Sequence, residues 1–184
     1  MILLRLLPAA LLLFGLSASA TCYEQAAAPY AHLGMTPRLL QAMATTESSG
    51  NPRAMNMSHI KRTGSYDIGL MQINSRWLPT LAKFGITERD LYEPCQNVIV
   101  GAWILAPLLQ QYGPGWEAVG AYNATCSTLK GADCTAARNK YAWSVYHSAT
   151  GARAPVDPIA HEPPHPPRIR HITLAASTDP AGTN

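Results

Sequence analysis

Charge is scarce in this sequence. Asp, Glu, Lys and Arg make up 14% of the residues, the formal net charge is +3, and lysine and arginine never form a run. Gripping nucleic acid through its phosphates takes a basic stripe or patch, so that class is excluded. The weak positive balance suits an anionic polymer without requiring one. Long apolar stretches are missing too. The best candidate, Leu6–Leu16, falls short of the ~20 residues a membrane-spanning helix needs. Internal repeats are absent, and no two cysteines have the close spacing of a zinc knuckle. One string, His161-Glu162-Pro163-Pro164-His165, matches H-E-x-x-H as text. That motif binds metal only on a helix, and two interior prolines forbid one. No metal or other cofactor is expected.

What is present divides the chain in three. Arg5, the apolar Leu6–Leu16 and the small residues Ala18-Ser19-Ala20 follow the order of a secretory signal over 1–20. The mature chain then starts near Thr21 with a charge one lower, +2, in an oxidising compartment and with no membrane span. Residues 21–149 carry helical and turn signals, described below. From 150 to 184 apolar periodicity stops, and seven of the fifteen prolines lie beyond Gly151. This composition reads as a disordered tail. The four cysteines, Cys22, Cys95, Cys126 and Cys134, allow three pairings. Cys22–Cys95 with Cys126–Cys134 is favoured, and a zinc site is the alternative.

Between them, helices alternate with one turn-rich segment. A first helix is expected over 23–32, broken near Pro29. A second opens at Thr36 as N-cap with Pro37 at N1, where a missing N–H costs nothing. Leu39, Leu40, Met43 and Ala44 follow at helical spacing, and Gly50 with Pro52 ends the run. Residues 56–74 read as short strands and turns. Helical character returns over 77–83, Thr87 can cap a further turn, and 97–112 is the strongest apolar helix, kinked at Pro107. Residues 116–123 and 135–146 complete the set.

Three patches carry chemistry. In "TTESSGNP", residues 45–52, Glu47 lies seven positions after Leu40 and four after Met43, on the helix face expected to be buried. Loss of solvation raises a carboxyl's pKa, and an acid that keeps its proton near neutrality can cleave a glycosidic bond. The competing reading is an exposed residue at a fraying helix end. "GSYDIGLMQINSRW", residues 64–77, combines glycines, Asp67, the amides Gln72 and Asn74, and the aromatics Tyr66 and Trp77. Rings and amides lining a groove hold sugars by stacking and hydrogen bonds. "AYN", Ala121-Tyr122-Asn123, stands at a helix end.

In this order, "ESSGNP", "GLMQIN" and "AYN" resemble the motifs of the soluble lytic transglycosylases. The similarity is greatest to the small periplasmic members associated with conjugation, type III and type IV secretion, and pilus systems. It spans 22–146, including the Cys22 and Cys95 positions. It implies an α+β, predominantly helical, lysozyme-like domain in which a small strand region flanks a cleft. The implied enzyme is a periplasmic, monomeric peptidoglycan lyase. It cleaves the β-1,4 bond between N-acetylmuramic acid and N-acetylglucosamine and leaves a 1,6-anhydromuramic end. Glu47 is the implied sole acid/base. Ser48 would contact an acetamido group, Gly69, Leu70, Met71 and Gln72 would form the cleft wall and floor, and Tyr122 and Asn123 would orient the sugar or Glu47. Tyr141 resembles a cleft tyrosine, although an aromatic at helical spacing also fits a core position. Peptidoglycan strands, and components of a secretion, conjugation or pilus machine, are the implied partners.

The same stretch around Asp67 is also similar to the segment that carries the second carboxylate of C-type lysozymes. A hydrolase using Glu47 and Asp67 is therefore one alternative, with a turn-capping aspartate as the competing role for Asp67. A wall-binding assembly factor without catalysis is the other. Two departures from the family stand out. Thr125-Cys126 replaces the glycine that commonly follows "AYN", and Pro107 sits inside a helix.

Overall fold

The computed structural model describes residues 18–126 and 128–151, with side chains from Cys22 onward. Most of the segment read as a secretory signal and nearly all of the proline-rich segment read as a tail lie outside the described residues. Helix α1, Ala18–Ala27, begins among the residues read as the cleavage site. It passes into a 3₁₀ helix, Ala28–Leu33, with Pro29 in its first turn. That is the break expected where proline removes a backbone donor.

Helix α2, Pro37–Ser48, starts as its sequence dictates: the Thr36 hydroxyl accepts from the Leu39 amide at 3.1 Å. Its inner face, Leu39, Leu40, Met43 and Ala44, is buried. The helix ends when Ser49 and Gly50 both turn left-handed, at φ 55° and 76°. A non-glycine residue thus shares the reversal expected of Gly50 alone.

The strand region is a three-stranded antiparallel sheet of two-residue strands in the order β1, Met55–Asn56; β2, Asp67–Ile68; and β3, Ile73–Asn74. Asn56 pairs with Asp67, and Asp67 with Asn74. A one-turn helix α3, Ile60–Thr63, interrupts the segment read as strands and turns. Residues 75–84 form a 3₁₀ turn, the short α4 (Leu78–Leu81) and a second 3₁₀ turn.

Helix α5, Pro94–Tyr112, is the central element and runs through Pro107. It starts three residues earlier than its apolar periodicity predicts, with Pro94 in the first turn. Helices α6, Trp116–Asn123, and α7, Gly131–Thr150, complete the fold. Packing of α1, α2, α5, α6 and α7 forms one core, with Leu40, Met43, Leu105, Val119 and Val145 fully buried. Two disulfides, Cys22–Cys95 and Cys126–Cys134, tie α1 to α5 and the α6–α7 loop to α7. Among the described residues no helix is long and apolar enough to cross a membrane. The architecture is lysozyme-like: a helical body with a small sheet beside the C-terminal end of α2.

Candidate active site

Glu47 occupies the last turn of α2 and is half-buried. Across from it, Tyr141 on α7 is 8% exposed, and its hydroxyl donates to Glu47 Oε1 at 2.6 Å. Tyr141 is thus a core aromatic whose polar tip meets the Glu47 carboxyl. Burial pushes the Glu47 carboxyl up to about 7; the Tyr141 hydrogen bond opposes the shift, and the charge of Asp67 adds to it. The dominant cause is removal of the carboxylate from water, which penalises the charged form. Burial likewise pushes the Tyr141 and Tyr122 hydroxyls well above the ordinary tyrosine range, with the Glu47 charge adding to each. Both phenols are held as neutral donors.

The loop 69–72 is fixed from several sides. Gly69 has φ 74°, and a Cβ there would lie 2.2 Å from Asn97 Nδ2 and 2.5 Å from the Leu91 carbonyl. Only glycine combines that backbone angle with that approach. Its amide donates to the Ala54 carbonyl at 2.8 Å. Asn97, buried on α5, accepts from the Met71 amide at 2.7 Å and donates to the carbonyls of Ile68 and Leu91 at 3.0 and 2.7 Å. Tyr122 donates to the Met71 carbonyl at 2.9 Å. Met71's side chain packs against Gly101, where a Cβ would come within 2.8 Å. The side chains of Leu70 and Met71 are buried, at 6% and 0% exposure. Their side chains therefore face the core, and only backbone remains for any contact made outside it.

Other residues singled out by sequence fall nearby or are engaged locally. Gln72, at φ 47°, donates its side-chain amide to the Gly69 carbonyl at 2.8 Å. Ser48 donates to the Ala44 carbonyl at 3.1 Å. Asn123 is exposed at the end of α6. Asp67 accepts from Asn74 at 2.7 Å and from Asn56 at 3.3 Å, and His59 Nε2 lies 3.6 Å from it. Its carboxylate is thus bonded to both neighbouring strands. Tyr66 is turned to Glu88, donating at 2.7 Å.

Two residues without a sequence signal shape the site. Asn97 is one. The other is Arg138 on α7, which is 6% exposed, donates to the Ala124 carbonyl at 3.0 Å, bonds Glu117 and lies 4.7 Å from the Tyr112 ring centroid. It anchors the chain just past Asn123. Cys126 then takes φ 59°, so a bridged cysteine adopts the left-handed angle that suits glycine at the "AYN" loop.

The arrangement offers one desolvated acid, two neutral phenols and a rigid backbone floor. Residues 24–143 match the family described as Transglycosylase SLT domain. The chain is similar to Invasion protein IagB of Salmonella typhimurium, 42% identical over 139 residues that cover 75% of this chain and 82% of that protein. Protein IpgF of Shigella flexneri is 38% identical over 128 residues, covering 69% and 78% of the two chains. The X polypeptide of Escherichia coli is 35% identical over 134 residues, covering 72% and 75%. With a half-buried Glu47 in the last turn of α2 and the family's domain spanning most of the described residues, the chain belongs to the transglycosylase SLT family.

Proposed function

We propose that the protein is a peptidoglycan lytic transglycosylase. The observation that carries this reading is Glu47 itself: a carboxyl with its pKa raised to about 7 by burial, bonded to a neutral tyrosine hydroxyl. Such a group gives up a proton to a leaving oxygen and then acts as a base. Protonated Glu47 gives its proton to the oxygen of the β-1,4 bond as the bond from muramic acid C1 breaks. The sugar's own acetamido group stabilises the cation developing at C1. Glu47, now ionised, takes the proton of the C6 hydroxyl, and O6 closes onto C1. The product is a 1,6-anhydro end, and no water is consumed.

In this reading the backbone of 69–72 forms the cleft floor, Ser48 and Asn123 meet sugar substituents, and Tyr122 and Tyr141 orient the floor and the acid. Asp67 is structural. Its bonds to Asn56 and Asn74 hold β1 and β3 to β2 and fit that role. A hydrolytic, lysozyme-like mechanism is the second reading, favoured by one observation: the charge of Asp67 reaches Glu47. The residues 1–20 direct export, and the enzyme works in the periplasm as a monomer. Its resemblance to transglycosylases of secretion, conjugation and pilus systems supports local wall opening for such a machine.

Mass analysis of the fragments released from purified sacculi tests the proposal. Transglycosylation gives ends lacking the mass of one water, and Glu47→Gln gives no fragments. Reducing ends would establish hydrolysis instead. Wall binding without fragments from the native chain would establish a non-catalytic binder.

A further inference from the structure

Away from Glu47, on the outer side of α5, lies an aromatic groove. A cavity of about 540 Å³ is bounded by Tyr30, Leu33, Trp77, Trp103 and Pro107. A second, of about 260 Å³, shares Tyr30 and Trp103 with it and continues to Phe84. The ring planes of Trp77 and Phe84 stand at 76° and 65° to that of Trp103, at 5.4 and 6.2 Å between centroids. Trp77 is 36% exposed and Phe84 66%. Large aromatics are normally removed from water; grouped around a continuous furrow, these leave ring faces for a ligand.

The chain supplies a fitting occupant. Residues 163–167 read Pro-Pro-His-Pro-Pro. Runs of this kind favour an extended left-handed helix with little entropy left to lose, and aromatic-lined grooves recognise it by packing proline rings against aromatic ones. Connectivity favours capture within the same molecule. Helix α7 ends at Thr150, and the Arg38 guanidinium donates to the Ala149 carbonyl at 3.1 and 2.7 Å. Gly151, the last described residue, therefore lies beside the start of α2. Only a short connection separates Arg38 from Leu33, which forms part of the groove wall. Residues 152–162 reach at most about 36 Å when extended, comparable to the full diameter of a domain of this size. We infer that residues 163–167 dock intramolecularly in the Trp77–Trp103–Tyr30 groove. Tethering keeps their effective concentration high without a large interface. The proposal is independent of the reaction at Glu47.

The test is nuclear magnetic resonance of the mature full-length chain beside a full-length variant in which Pro163, Pro164, Pro166 and Pro167 are all replaced by serine. The chain has four tryptophans, and Trp116 and Trp143 lie on α6 and α7 as internal controls. Docking predicts that the indole N–H signals of Trp77 and Trp103 differ between the two proteins, equally at all protein concentrations, while those of Trp116 and Trp143 superimpose. Coincident signals at all four would overturn the proposal. So would a Trp77 and Trp103 difference that grows with protein concentration, which marks a second copy. A groove signal that is insensitive to the proline changes but moves on adding a chitin tetrasaccharide marks a glycan site and also overturns it.

Discussion

Tyr141 and Glu47 stand 94 positions apart in sequence and 2.6 Å apart in space. The tyrosine donates to the carboxyl, which is why its bond opposes the upward shift imposed by burial. Removing the hydroxyl removes that opposition. Tyr141→Phe is expected to move the Glu47 pKa further up, and with it the alkaline limb of the kcat/KM profile. The proposed reaction needs the protonated acid, so activity is expected to hold below this limb and fall above it. An unmoved limb, with only a uniform loss of rate, would mean that the tyrosine does not tune the acid.

Asp67→Asn moves the same limb the other way, because the Asp67 charge contributes to holding the Glu47 pKa up. The rate is expected to fall by less than about tenfold, whereas Glu47→Gln should cost about 10²–10⁴-fold, the usual size of a general acid's contribution. Steady-state clearing of sacculi across pH measures both. Comparable losses would assign Asp67 the second-carboxylate role of a hydrolase.

Stability carries the same signature with the sign reversed from an ordinary paired carboxylate. Glu47 titrates near 4.5 in an unfolded chain and near 7 in the fold. Its favourable contribution is complete below the lower value and is lost as pH rises through the upper one. Replacing it with glutamine removes the ionisation penalty. Denaturant unfolding should find Glu47→Gln more stable than the native chain at pH 8, by up to about 3 kcal/mol, with the gap closing towards pH 4.5.

The placement of the 69–72 loop depends on Asn97. Asn97→Ala would leave the Met71 amide and the Ile68 and Leu91 carbonyls without their side-chain partner. Each abandoned buried group costs about 1–3 kcal/mol, so a loss of several kcal/mol is expected by equilibrium unfolding, together with lower activity. Tyr122→Phe loses one bond to the Met71 carbonyl and should cost only about 1 kcal/mol.

Local signals made much of this legible. Thr36-Pro37 sets the start of α2, and Leu40 and Met43 place Glu47 on the buried face. The helix expected over 116–123 has the limits of α6. Much of what escaped was long-range. Asn97 reads as one residue in an apolar helix, and only the fold brings it against a loop 26 positions earlier. Arg138 reads as a surface charge on a polar helix until Tyr112, Glu117 and the Ala124 carbonyl surround it. Helix α3 is too short for a 3.6-residue period to show. Pro94 did mark the true start of α5, but the apolar pattern beginning after it was the stronger cue. Leu70 and Met71 sit in a motif whose backbone matters to the site, and a sequence does not separate backbone from side-chain roles.

The most direct test is the titration of Glu47 itself. Carbon-13 resonance of its side-chain carboxyl, in the mature full-length chain assigned against Glu47→Gln, should show a midpoint near 7. A midpoint near 4.5, that of a solvated glutamate, would contradict the account, because an acid already ionised at neutral pH has no proton to give the glycan.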